Sequence, residues 1–167
     1  MNVLLAVIVV FVLLFGLTAF RGAPYVPSRR RDVKKAFEEL YVLDDDDVLV
    51  DVGSGDGIVL REAAKRGAVA VGYEINPVLV MISRWFSRRS PNITVKLADF
   101  WLASLPDETT VVYAFGESRD IEKIARKVQT ESARLGRPLY FISYGFSLRD
   151  ESTLLRQVGA HFLYRFS

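Results

Sequence analysis

The run Val48-Leu49-Val50 leading into Asp51-Val52-Gly53-Ser54-Gly55-Asp56-Gly57 constrains the fold more than any other stretch of the chain. A short apolar run before a turn reads as a buried strand. Glycines at alternate positions then let the backbone turn tightly and bring N–H groups close to a ligand, because no Cβ stands in the way. Ile58 to Arg66 has helical character and stops at Gly67. Strand, glycine turn and helix in that order open a βαβ unit. Ala68 to Tyr73, Ile93 to Leu97, Thr110 to Phe115, Pro138 to Phe146 and Ala160 to Phe166 supply the remaining strands. Pro77 to Arg88 and Arg119 to Leu135 read as helices between them, Pro77 sitting where a first helical turn accepts proline. Continuous Val-rich strands alternating with helices predict an α/β, Rossmann-like doubly wound fold with a mainly parallel sheet of about six strands.

At 167 residues there is room for one such domain. The sequence has no cysteine, which excludes disulfides, thiolate metal sites and cysteine nucleophiles, and one histidine, which removes most zinc and Ser-His-Asp schemes. His161 reads as a residue of the last strand. A formal net charge of +2 gives no global field for nonspecific nucleic-acid binding. The acidic run Asp44 to Asp47 reads as a solvated turn, and no metal is expected.

Before the domain, Val3 to Phe20 carries no charge, and at about 1.5 Å per helical residue it reaches across most of a ~30 Å hydrocarbon layer. It reads as a transmembrane anchor over 1–21, with a cleaved signal peptide or a core helix as alternatives. Arg21 and Arg29 to Arg31 would then hold the domain on the cytoplasmic side, or the matrix side of a mitochondrion. Residues 22–31, with Pro24 and Pro27, form a linker ending at a helix cap on Ser28 or Asp32. The folded domain takes 32–167, beginning with an amphipathic helix through Val33, Ala36, Phe37, Leu40 and Tyr41.

The ligand class follows from spacing. Gly-x-Gly-x-Gly departs from the Gly-x-Gly-x-x-Gly expected where a pyrophosphate docks on the helix, so the ligand lacks that phosphate pair. Glu74 ends the second strand, where a carboxylate accepts hydrogen bonds from both hydroxyls of a ribose. Asp99 follows the third strand and offers an acceptor to an exocyclic amine, beside Phe100 and Trp101, whose rings could flank a purine. The set describes an adenosine site. Helix caps and core aromatics are the plain alternatives for each residue alone.

DVGSGDG, then VGYEINPVLVMISR, then ADFW resembles the class I, seven-strand S-adenosylmethionine-dependent methyltransferases. With YVPS upstream, the chain is similar more narrowly to the membrane-anchored lysine methyltransferases that act in mitochondria on the adenine nucleotide translocase and the ATP synthase c-subunit. The likeness runs from about Tyr25 to Phe115. It implies S-adenosylmethionine as cofactor, with Asp51, Gly53 and Gly55 around its methionine portion; Ser54 and Gly57 of the same loop are further candidate donor contacts. Glu74 would hold the ribose, with Asn76 beside that carboxylate, and Asp99 the adenine, next to the candidate rings of Phe100 and Trp101. Tyr25, Pro27 and Ser28 would fold over the donor near its methyl group. Ile58 and Val78 stand where the family commonly has arginine and an aromatic residue, and little detailed match continues from Glu117 onward.

A sulfonium is already a good leaving group, so such an enzyme aligns a nucleophile and removes water. For a lysine amine, an apolar pocket favours the neutral form, and Tyr25, Phe115 and Trp101 are candidate walls. Glu117 could orient the amine, or simply complement a helix N-terminus. The stretch Tyr113 to Ser118 lacks the Asn/Asp-Pro-Pro-aromatic motif used on nucleobase and amide nitrogens. The expected partner is a membrane-embedded protein with an accessible lysine, the chain itself meeting the membrane through residues 3–20, and no nucleic acid. A nucleic-acid or small-molecule methyltransferase, with Arg84, Arg88 and Arg89 as a basic edge, and an inactive tethered binding module remain open at this level.

Overall fold

A computed structural model describes residues 28–150 and 152–167, together with Leu5. Its elements run α1 (Arg30–Lys35), a π-helical turn (Ala36–Leu40), β1 (Val48–Val52), α2 (Ile58–Ala64), β2 (Val69–Glu74), α3 (Pro77–Ser87) and β3 (Ile93–Leu97). These are followed by β4 (Val111–Phe115), α4 (Ser118–Leu135), β5 (Leu139–Tyr144), β6 (Leu154–Val158) and β7 (His161–Phe166). The sheet has seven strands in the order β3-β2-β1-β4-β5-β7-β6. Strands β1 to β5 are parallel, while β7 runs antiparallel between β5 and β6.

Alternation along the strands builds a core on each face. Leu49, Ala70, Val111, Ile142 and Leu163 point to the side covered by α1, the π-helical turn, α2 and Val80 of α3. Their neighbours Val50, Val71, Val112, Phe141 and Tyr164 point to the side covered by Ile121, Ile124, Ala125 and Val128 of α4. Both faces of the central strands are therefore dry, which is why they read as continuous apolar runs.

Two polar ties fix the N-terminal layer. Glu62 of α2 is buried and accepts from Arg30 Nε at 2.7 Å and Lys65 Nζ at 2.6 Å. Burial pushes this carboxyl up, but the bonds from Lys65 and Arg30 outweigh it and hold it below the usual carboxylate range. Asp47 is also buried, and is not simply a member of a solvated turn. It accepts from Tyr41 Oη at 2.8 Å and from Thr110 Oγ1 at 2.6 Å, joining the entry of β1 to that of β4. Asp44, Asp45 and Asp46 are exposed, as expected.

Several expectations need correction. The sheet has one strand more than predicted. In β6 the middle residues Leu155, Arg156 and Gln157 are all exposed, and its pairing with β7 is broken by a bulge between Leu154 and Arg156, so the strand carries no apolar pattern. The cap of α1 is Arg29, without a side-chain cap bond, and neither Ser28 nor Asp32 fills that place. The periodicity over Val33 to Tyr41 is real, but its second half widens into a π turn in which Tyr41 N donates to Ala36 O at 3.0 Å. The predicted single-pass membrane localisation is overturned: among the described residues no helix is long and apolar enough to cross a membrane. The anchor expected over 1–21 lies, apart from Leu5, outside the described residues, as do Tyr25 and Pro27.

Candidate active site

The carboxyl ends of β1 and β2 meet at the glycine loop. Tyr73 O, near the end of β2, accepts from Gly53 N at 2.9 Å and Ser54 N at 3.0 Å, so the loop is laid over the neighbouring strand. Gly53, Gly55 and Gly57 all have positive φ, 69°, 54° and 81°. A side chain would strain the backbone at each. The glycines differ in what they face. Gly53 is exposed and a Cβ there would meet nothing within 4 Å, leaving room above the backbone. At Gly57 a Cβ would collide with Ser83 Oγ, so this glycine serves the packing of the loop on α3. Ser54 turns inward as well: its hydroxyl is buried and lies where a Cβ on Gly72 would stand 2.5 Å away.

Glu74 is 8 % exposed and tied at both oxygens, Oε2 accepting from Gly55 N at 2.9 Å and Oε1 from Asn76 N at 2.8 Å. Each oxygen keeps a lone pair for a hydroxyl donor. Asn76 caps α3, its Oδ1 accepting from Val78 N at 2.9 Å and Leu79 N at 3.4 Å. The run Glu-x-Asn-Pro is thus one device: the acid is held by the loop and by the backbone of the residue that caps the next helix, and Pro77 begins that helix. Asp51 lies beneath. Burial pushes its carboxyl well above the ordinary range, and the nearby Glu74 and Asp56 carboxylates push it further. Crowded acids under an open glycine turn favour a cationic ligand. S-adenosylmethionine, with its sulfonium and ammonium charges and its ribose, fits these residues.

Asp99 is exposed beyond β3, its Oδ1 accepting from Trp101 N at 2.9 Å. The two aromatic residues after it part company. Trp101 is 47 % exposed, whereas Phe100 is 5 % exposed and packs edge-on against Tyr73 at 6.0 Å, in the core. The Phe100 ring is therefore a foundation of the loop and does not flank a ligand. Sequence reasoning misses Lys127 of α4, whose ammonium donates to the carbonyls of Phe100, Trp101 and Ala103 at 2.6, 3.1 and 2.6 Å. Only the tertiary fold reveals it, because on sequence alone it is one more cation on a helix.

Phe115 ends β4 and is half-buried, and Glu117 is exposed at the N-cap of α4 without a cap bond. Ser28 is half-buried and near enough to the Tyr113 hydroxyl of β4 to act on it, which brings the start of the described chain to the same edge of the sheet. Arg84 and Arg88 do not form a free basic edge. Arg84 donates twice to Val95 O, at 3.1 and 2.7 Å, and Arg88 stands 4.2 Å over the ring of Trp85.

A seven-stranded sheet in this order with a glycine loop over β1 and an acid ending β2 defines the S-adenosylmethionine-dependent methyltransferase class. Solved structures agree: an RNA methyltransferase from Salinibacter ruber in complex with S-adenosyl-L-homocysteine aligns at TM-score 0.67 and 27 % identity, over 84 % of this chain and 92 % of that one. Within the class, the model of the ANTKMT methyltransferase domain matches residues 51–153, and the chain belongs to that family. The ATP synthase c-subunit lysine N-methyltransferase of Xenopus laevis is 37 % identical over 111 residues, covering 65 % of this chain and 48 % of the relative. That of Homo sapiens is 32 % identical over the same length, covering 65 % and 46 %. The chain spans about half the length of these relatives.

Proposed function

We propose that this chain moves a methyl group from S-adenosylmethionine to a lysine amine of a protein, the ATP synthase c-subunit being the acceptor its relatives suggest. The observation that carries this is the coincidence of the family match with the site: residues 51–153 contain Asp51, the glycine loop, Glu74, Asn76 and Asp99 together. Asp51, Gly53 and Gly55 are assigned to the methionine portion, with Ser54 and Gly57 shaping the loop from inside. Glu74, steadied by Asn76, is assigned to the ribose, and Asp99 with Trp101 to the adenine. When bound, the donor supplies an electrophilic methyl carbon on a sulfonium that leaves as a neutral thioether. The protein's part is to hold an amine in line with that carbon and keep water out. Phe115 and Ser28 are assigned to the acceptor side, with Glu117 at its rim; Tyr25 and Pro27, outside the described residues, are assigned to the covering element.

A second reading, methylation of RNA, is favoured by the likeness to the Salinibacter ruber enzyme. Against it stand the missing Pro-Pro-aromatic motif after β4 and the engagement of Arg84 and Arg88 with their own fold. The test is transfer from radiolabelled donor by the purified chain, with the ATP synthase ring protein in detergent micelles and with ribosomal RNA. Label on a lysine of that protein, located by mass spectrometry, is expected. Label on RNA alone would favour the second reading. Glu74→Ala should abolish donor binding in calorimetry, and unchanged affinity would sink the ribose assignment.

A further inference from the structure

The ends of β4 and β5, the start of β7 and the helix α1 bring together five side chains from four separate elements. Tyr144 Oη donates to Asp32 Oδ2 at 3.0 Å, across 112 positions. The ring of Phe115 packs on Tyr144 at 4.7 Å with a 46° tilt. His161 stacks on Tyr144 at 4.3 Å and 12°, and its Nε2 shares a hydrogen bond with Tyr113 Oη at 2.9 Å. Strand register explains the grouping. Tyr113 pairs with Asp51, Phe115 with Tyr144, and Tyr144 with His161, so all of these side chains leave the same face of the sheet.

The chemistry of this corner differs from that of the donor loop. Asp32 is half-buried, and among the described residues it forms no ion pair, although Arg29 is near enough to act on Tyr144. A carboxylate beside aromatic faces suits an incoming lysine, since it accepts N–H groups of the ammonium on arrival and can take the proton that the amine must lose before its nitrogen attacks. Behind Tyr144, burial holds the imidazole of His161 down at about 4, so it is neutral and puts no repelling charge there. The assigned donor contacts lie on β1 to β3, which leaves the ends of β4 and β5 to the acceptor.

We propose that Asp32, Tyr144 and Phe115 form the subsite that binds the acceptor's lysine amine, with His161 and Tyr113 as positioning residues behind the Tyr144 ring. This rests on protein-lysine methylation and adds to it the group that recognises the amine. The test uses the full chain, saturating donor and the ATP synthase ring protein in detergent micelles. Asp32→Asn is expected to raise the acceptor KM at least tenfold, while the Kd for S-adenosylhomocysteine stays within twofold and Asp32→Glu recovers part of the loss. Tyr144→Phe, which keeps the ring and removes only the bond to Asp32, should raise the acceptor KM about threefold. It also provides the measurement if Asp32→Asn fails to fold. An acceptor KM within twofold of wild type, in a variant with unchanged Tm, overturns the subsite. Wild-type protein that labels no lysine overturns the function beneath it, and that outcome is recognised without any variant.

Discussion

Asp51 is a carboxyl whose ionised form the surrounding protein disfavours. Burial and two neighbouring carboxylates raise its pKa, so ionising it costs stability, and a bound cation above it would offset that cost. Asp51→Asn should therefore raise the Tm of the unliganded protein by about 2 °C, since about 1 kcal/mol moves a domain of this size by that order. The same change should weaken donor binding at least tenfold, and calorimetry with and without donor separates the two effects. His161 gives a pH dependence of definite sign. Its imidazole titrates at about 4 in the folded protein against 6.5 in an exposed chain, so below 6.5 the unfolded chain takes up a proton that the native one refuses. Stability should fall by about 2 kcal/mol from pH 7 to pH 5 through this group, and His161→Phe should flatten that slope in urea unfolding. These two residues also mark the limit of what the sequence discloses. Asp51, Gly53, Glu74 and Asn76 are legible as a group because the proposed donor site is assembled from turns a few residues long. Asp32, Tyr113, Tyr144 and His161 are not, because their meeting depends on the register of β4, β5 and β7 and on the bond that α1 makes to β5.

At the level of elements, the loop after β3 is held by a helix two dozen or more residues further along the chain. Lys127 on α4 donates to three of its carbonyls and lies 4.7 Å over the ring of Phe100. Burial pulls its ammonium below the usual range, so its charge is kept at some cost, with water replaced mainly by those carbonyls. Lys127→Met retains the length of the side chain and removes the donors. The KM for S-adenosylmethionine should rise about threefold to tenfold with kcat little changed, and steady-state kinetics at saturating acceptor reads this directly. Central strands are predictable from their Val-rich runs because both of their faces are covered. The edge strand β6 is not, since exposed Arg156 and Gln157 make it resemble a loop. The π turn after α1 is hidden for another reason: one extra residue in a turn leaves Phe37 and Leu40 buried and hardly alters the periodicity.

For the molecule as a whole, sheet order fixes which surfaces depend on which. The N-terminal layer is tied to α2 through Glu62 and to the sheet through Tyr144, so the proposed acceptor side is fastened to both halves of the fold. The mainly parallel doubly wound sheet is legible in the sequence; the antiparallel insertion of β7 lies beyond periodicity, which carries no direction. That insertion has a kinetic consequence. The strand β5, Leu139-Tyr140-Phe141-Ile142-Ser143-Tyr144, has no charge and no proline, and one of its two edges is covered only when β7 slides in beside it. A chain that has formed β1 to β5 but not yet the final hairpin presents an uncharged, aromatic-rich template to its neighbours. Refolding from urea should accordingly lose yield as protein concentration rises, with light scattering appearing before native fluorescence returns, and Phe141→Lys in a short peptide of this strand should abolish the peptide's own aggregation.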